Sequence, residues 1–360
     1  MSHRLPHITY VIDDLGHGGA QRQLYYAVRA LAGAGDLSVV VLSDVVDPYA
    51  ARIRELGVRV EVISRRTGLD AGRVLALARK FDELETGIAH AMLDASNGYT
   101  FLAARMRRIP AVLSLRSDRL QATGSRARTL GWMMRNSPAV TVNSNAGRDY
   151  LVNRLGIRAE RVCLVPNIVE VPPAANHPAT VPPVIGAVGR LVEMKRFDSI
   201  LNALAIVRRA VPAARIVLVG DGPARPGLED LARRGDIADA VQFTGAVDDA
   251  APHIMTFGCL VVASTHEGLP NAALEALARG VPVVTVPAGD LPRVVKDGVT
   301  GIMARDASAP ALAEGIVRAL TSPALRESAA REGPRLMREE FSPARARAQL
   351  VELYSRLARQ

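Results

Sequence analysis

Cysteine is nearly missing from this chain: its 360 residues include two, Cys163 and Cys259. Each sits in an apolar strand-like run, so buried free thiols are expected. No Cys-x-x-Cys is present to frame a disulfide or a metal site. Aromatic residues make up only 4% of the chain, too few for the stacking platforms of single-strand nucleic-acid binders. No apolar run reaches the ~18–20 residues that span a bilayer. Met1 to Pro6 lead into a strand without the apolar core of a signal peptide, so a cytosolic chain is expected. There is no Walker A loop. Positive charge is what the chain has in excess: 45 Lys and Arg against 36 Asp and Glu, a net +9. That balance favours anionic partners, but no motif beyond charge supports nucleic acid.

The length suggests two domains of ~150–200 residues. Strand and helix signals alternate throughout. Strands are predicted at 8–12, 37–42, 58–63, 88–91, 111–115 and 140–143, with helical stretches such as 21–32 and 48–56 between them. Such alternation implies βαβ units and parallel sheets buried on both faces. From Pro166 to Pro183 six prolines fall in eighteen positions, a density that supports neither helix nor central strand. Residues 171–183 are therefore read as a linker between a domain at 1–170 and a second at 184–341. The second series has strands at 184–189, 216–220, 241–243, 259–263 and 283–286. From 342 to 360, Leu350, Leu353, Tyr354 and Leu357 recur at helical spacing.

The most informative stretch runs from Ser264 to Pro282. A strand ends at Ala263, a Gly268-Leu269-Pro270 turn follows, and a helix begins with Pro270 suited to its first turn. Gly280 and Pro282 mark its end. The first amides of such a helix lack internal partners and form an anion site. Glu267 stands at the mouth of that site, and Asn271 and Glu275 share one helix face. A phosphate on the amides, with carboxylates holding hydroxyls on either side, suits a sugar nucleotide. A plain strand–turn–helix with solvated glutamates is the alternative. In the loop Gly189 to Asp198, Arg190 and Lys195 can converge on one pyrophosphate, a planar fork of donors beside a movable point charge. Gly16-His17-Gly18-Gly19 is a glycine loop where backbone approaches a phosphate or sugar. It is not the dinucleotide fingerprint, whose third glycine would stand at Gln21. Gly220-Asp221-Gly222-Pro223 reads as a tight turn.

Glu267 and Glu275, eight positions apart around Gly-Leu-Pro and followed by Gly280-Val281-Pro282-Val283-Val284, resemble the donor-site signature of the retaining glycosyltransferases of family 4 (group 1). The resemblance covers essentially the whole chain. It implies the GT-B fold, an α/β architecture of two Rossmann-like doubly wound domains facing a cleft, with the 342–360 helix crossing back onto the N-terminal domain and Pro166-Asn167 as the hinge. It implies hexosyl transfer from a nucleotide-diphosphate sugar, UDP-linked before GDP-linked, to an acceptor hydroxyl, with retention and without metal or added cofactor. Bacterial polysaccharide, glycolipid or envelope glycan synthesis is the implied setting, with a carbohydrate or lipid-linked acceptor. Arg190 and Lys195 would neutralise the leaving diphosphate together with the amides after Glu267, in Gly268-Leu269-Pro270-Asn271. Glu193 would orient those cations, Glu267 would hold sugar hydroxyls, and Glu275 the ribose. The Gly18 and Gly19 amides would face the donor. Gly189, Gly220 and Asp221 would line the nucleotide, and the backbone at Phe243 and Thr244 would read the base. His90 and Asn97, at a strand–helix junction, are candidates for acceptor or sugar contact. Arg116 stands where many relatives place a histidine. A guanidinium cannot act as a base, so it binds an acceptor phosphate or carboxylate or pairs with Asp118. Arg293 stands where the family shows a glutamate.

Eight arginines from Arg105 to Arg135 face one acid, Asp118, a net +7, beside Trp132, Met133 and Met134. Such a segment fits an anionic membrane surface at the inner face, or a solvated face with scattered ion pairs. Two other function classes compete. A sugar-nucleotide epimerase of the same fold would need more acid–base groups around the sugar. A non-catalytic two-domain binding protein would not need Arg190 and Lys195 aimed at a leaving group.

Overall fold

The β-branched runs assemble into two parallel sheets in a computed structural model that describes residues 4–64, 70–173 and 182–359. The chain divides into two compact units, Met1–Ile168 with Pro343–Gln360, and Val169–Ser342. The first sheet contains β1 (Leu5–Ile12), β2 (Gly35–Val41), β3 (Arg59–Val62), β4 (Ile88–Ala91), β5 (Ala111–Leu115), β6 (Ala139–Val142) and β7 (Val162–Leu164). Their order is β3-β2-β1-β4-β5-β6-β7. Every pair is parallel, with Thr9 beside Ser38 on one side of β1 and beside Ala89 on the other. All residues of β4, β5 and β6 are buried, as helices on both faces require of a parallel sheet. The second sheet contains β8 (Val184–Val188), β9 (Arg215–Val219), β10 (Val241–Phe243), β11 (Cys259–Val262), β12 (Val283–Thr285) and β13 (Gly301–Met303). Its order is β10-β9-β8-β11-β12-β13. Strand order reverses between β1 and β4 and between β8 and β11. Loops diverge at such switch points and leave room for ligands beyond the carboxyl ends of the strands.

Most strand boundaries fall within one or two residues of the sequence reading. β13 was not anticipated: three residues beginning with glycine carry no periodic signal. Of the expected linker at 171–183, residues 174–181 lie outside the described residues, and the flanking positions 171–173 and 182–183 hold neither helix nor strand.

The Pro343–Leu357 helix belongs to the N-terminal unit. Leu350, Leu353, Tyr354 and Leu357 are at most 3% exposed and join the core formed by Tyr10, Leu24 and Val28. The Tyr354 hydroxyl meets the Tyr10 hydroxyl at 2.7 Å and His90 Nδ1 at 2.6 Å. Among the described residues no helix is long and apolar enough to cross a membrane.

Candidate active site

The residues singled out from Gly189 to Glu275 stand at or beyond the carboxyl ends of β8, β9, β10 and β11 in the C-terminal unit. Gly189 (φ +145°) and Gly220 (φ +134°) follow β8 and β9 in a backbone region that favours glycine. A Cβ on Gly220 would lie 2.1 Å from the Gly189 carbonyl oxygen, whereas one on Gly189 would meet open space. Bare backbone at Gly189 thus borders room for a ligand. The following loop is anchored by buried Leu191, whose amide donates to the Asp221 carbonyl at 3.0 Å. A single 3-10 turn, Glu193–Lys195, then brings the lysine round. The Thr265 amide donates to the Met194 carbonyl at 3.0 Å and ties this loop to the one after β11.

That tie sets Lys195 against Glu267. The ammonium and the carboxylate form a direct ion pair with side chains 24% and 14% exposed. Arg190 is exposed on the same loop and has no carboxylate partner among the described residues. Glu193, expected to orient the two cations, is exposed and pairs with neither of them; Lys195 takes Glu267 instead.

Gly268, Leu269 and Pro270 are buried. Pro270 serves as the N-cap (φ −69°, ψ 128°) one position ahead of the Asn271–Ala278 helix, not inside its first turn. Asn271 and Glu275 are half-buried at i, i+4 spacing. At the other end the Gly280 amide donates to Leu277 and the Val281 amide to Ala276, the double closure that a left-handed glycine permits. Gly289 (φ +51°) braces the turn from a third loop. A Cβ there would lie 2.0 Å from the Glu267 carbonyl oxygen, and the Asp290 amide donates to the Gly268 carbonyl at 2.9 Å. Arg293 pairs with Asp290 at 3.2 Å and Glu340 at 3.3 Å.

Beyond β9, the Asp221 carboxylate accepts from the Gly222 amide at 2.7 Å and from Arg225 Nη1 at 2.9 Å. The amide first and the guanidinium second hold its pKa below the usual carboxylate value. Arg225 Nε also donates to Glu229 at 2.7 Å, and its guanidinium carbon sits 5.8 Å from the centre of the Phe243 ring. The Thr244 amide donates to Leu218 at 3.0 Å, and its hydroxyl donates to Gly245 at 2.9 Å. Sequence reasoning missed Arg225. Its signal was the position, two residues after Gly-Asp-Gly-Pro and four after Asp221.

The remaining candidates lie in the N-terminal unit. Gly18 caps the Gly19–Ala30 helix in extended backbone. Gln21 folds back beside it, and its Nε2 donates to Asp14 at 2.8 Å. His90 and Asn97 are both buried, at 3% and 0% exposure, and are held by hydrogen bonds within the unit. His90 Nε2 lies 3.1 Å from the hydroxyls of Ser114 and Thr141. Asn97 donates to the Ser114 carbonyl at 2.8 Å and accepts from its amide at 2.9 Å. Burial lowers the His90 pKa to about 3, with the Arg116 charge as a second cause. Arg116 is half-buried and donates to Asn167 Oδ1 at 3.0 Å, rather than pairing with Asp118. Burial pushes its pKa down to about 10. Sequence reasoning also missed two half-buried carboxylates after β1 and β4. Asp13 accepts from the Ser96 amide at 2.7 Å. Burial raises the pKa of both Asp13 and Asp94, and Asp13 adds to the rise at Asp94. Among the described residues no three metal-ligating side chains gather at one place.

Residues 17–171 match the family described as Glycosyltransferase Family 4, and residues 182–322 match Glycosyl transferases group 1. The lipopolysaccharide core biosynthesis glycosyltransferase LpsE of Rhizobium meliloti is 32% identical over 44% of this chain and 46% of its own length. The 2-deoxystreptamine glucosyltransferase of Streptomyces kanamyceticus is 28% identical over 63% of this chain and 62% of its own. The chain thus spans between about half and two thirds of these relatives. Among solved structures, Anabaena Alr3699/HepE in complex with UDP-glucose superposes with a TM-score of 0.86 at 19% identity, covering 98% of this chain and 100% of that one. Sucrose-phosphate synthase (tll1590) from Thermosynechococcus elongatus gives 0.77 at 20% identity over 98% and 99%. These likenesses show the fold, two Rossmann-like α/β units of the GT-B class.

Proposed function

The chain belongs to the group 1 glycosyltransferases, and from that premise we propose that it moves a sugar from a nucleotide-diphosphate donor to an acceptor hydroxyl, with retention and without a metal ion. The setting is glycan synthesis on the cytoplasmic side, with a carbohydrate or lipid-linked acceptor. The observation that carries this reading is the Lys195–Glu267 pair, formed between the loop that also carries Arg190 and the turn that leads into the Asn271–Ala278 helix. A donor diphosphate there draws Lys195 and Arg190 to its oxygens and frees Glu267 to accept from sugar hydroxyls. Cations and polarised amides aimed at growing negative charge stabilise the transition state more than the ground state. The acceptor oxygen bonds to the anomeric carbon as the bond from that carbon to the diphosphate breaks. The acceptor proton leaves on a phosphate oxygen. Asn271 and Glu275 serve the ribose. Arg225, held on two sides by carboxylates, presents a fixed guanidinium plane to the base beside Phe243. UDP is placed ahead of GDP because the Anabaena HepE structures contain UDP and UDP-glucose. A GDP-mannose-dependent mannosyltransferase of Mycobacterium tuberculosis, 33% identical over 38% of the chain, keeps GDP as the second choice.

Calorimetry with UDP, GDP, ADP and their sugars in EDTA is the direct test. One nucleotide family should bind, and turnover should persist in the chelator. Lys195→Ala and Arg190→Ala should each lower kcat by about 10²–10³, and Arg225→Ala should weaken nucleotide binding while sparing inorganic diphosphate. Binding of none of these ligands, or full turnover in Lys195→Ala, would overturn the reading.

A further inference from the structure

Two packed helices of the N-terminal unit, Asp94–Arg107 and Gly124–Asn136, expose an unusual mixture. Leu102, Met106 and Trp132 are 41%, 49% and 48% exposed, three of the seven large apolar side chains that face water among the described residues. The Trp132 ring meets buried Phe101 edge-on, with centroids 5.6 Å apart, so one edge is fixed while the rest stays in solvent. Cations occupy the same helix faces. Leu102, Arg105 and Met106 follow i, i+3, i+4 spacing, and Arg128 lies one turn before Trp132. Arg105, Arg108 and Arg128 are exposed and pair with no carboxylate among the described residues. The nearby acids are already engaged: Asp82 holds Arg107 at 2.8 Å, and half-buried Asp94 interacts with Arg126.

We propose that this face docks on an acidic phospholipid bilayer, with Leu102, Met106 and Trp132 entering the headgroup boundary and Arg105, Arg108 and Arg128 meeting lipid phosphates. Exposed apolar side chains interleaved with unpaired arginines gain from both halves of such an interface. A polynucleotide would satisfy the arginines but leave the apolar side chains in water. The inference is independent of the donor site, which lies in the other unit.

Trp132 is the chain's single tryptophan, so its emission reports on this face alone. The full chain should co-sediment with phosphatidylglycerol-containing vesicles and not with phosphatidylcholine vesicles, and its emission should shift to the blue. Each arginine removed should cost about fivefold in partition, so Arg105→Gln with Arg108→Gln and Arg128→Gln should cost about a hundredfold. The cooperative melting of the N-terminal unit in that variant should stay unchanged, which controls for folding. Trp132→Ala should also weaken sedimentation. Equal binding to both vesicles, vesicle binding without an emission shift, or binding to duplex DNA as strong as to acidic vesicles would each overturn the proposal.

Discussion

Tyr354 places one hydroxyl between two buried partners, Tyr10 and His90. Replacing it with phenylalanine leaves both without that bond, and a buried polar group short of its partner costs about 1–3 kcal/mol. Urea unfolding of Tyr354→Phe should show a loss of that size at neutral pH. His90 adds a pH dependence. Burial depresses its folded pKa from 6.5 to about 3, so the unfolded chain binds the extra proton first. The stabilisation from neutral His90 is complete above pH 6.5 and is lost as pH falls from 6.5 toward 3, by up to about 5 kcal/mol. Denaturant midpoints for His90→Gln should therefore fall less steeply than the parent's across that window. At this scale the sequence supplied Arg190, Lys195 and Glu267 as one group, because each lies in a recognisable loop. It could not show that Lys195 and Glu267 touch, since 72 residues separate them and pairing depends on how two loops meet. His90 and Asn97 look alike in sequence whether they face a ligand or the sheet interior. Only the depth of β4 and β5 distinguishes the two.

Among the elements, the turn ahead of the Asn271–Ala278 helix depends on Gly289. Its positive φ and its closeness to the Glu267 carbonyl leave no room for a methyl group. Gly289→Ala should displace the Glu267 backbone, lower the melting temperature and weaken nucleotide binding by at least tenfold, the effect of about 1.4 kcal/mol. Scanning calorimetry and titration on the same variant measure both. The long apolar strands were readable because strands buried on both faces keep near-continuous apolar runs. The Gly280 stop was readable because a helix commonly ends on a left-handed glycine. Gly301–Met303 was not, because a short strand that opens on glycine leaves only Ile302 and Met303 as an apolar signal. Gln21 shows the same limit: its sequence position marks a departure from the dinucleotide fingerprint, while its partner Asp14 is set only by the folded loop.

At the scale of the whole molecule, the chain leaves the N-terminal unit after Ile168 and returns at Pro343. Four large side chains of the returning helix are buried. At about 1.5–3 kcal/mol each, they contribute as much as the ~5–15 kcal/mol that separates folded from unfolded domains. A chain shortened before Pro343 should lose the cooperative melting of the N-terminal unit yet still bind nucleotide through Val169–Ser342. Retention of both transitions would count against this view. The return also sets an order in time. During synthesis, the flank of the first sheet must wait for all of Val169–Ser342 to be translated before its closing helix arrives. At ~5–20 residues per second that wait is about 10–35 s, long enough for a chaperone to occupy the uncovered leucines and for the ribosome to set the order in which the two halves mature.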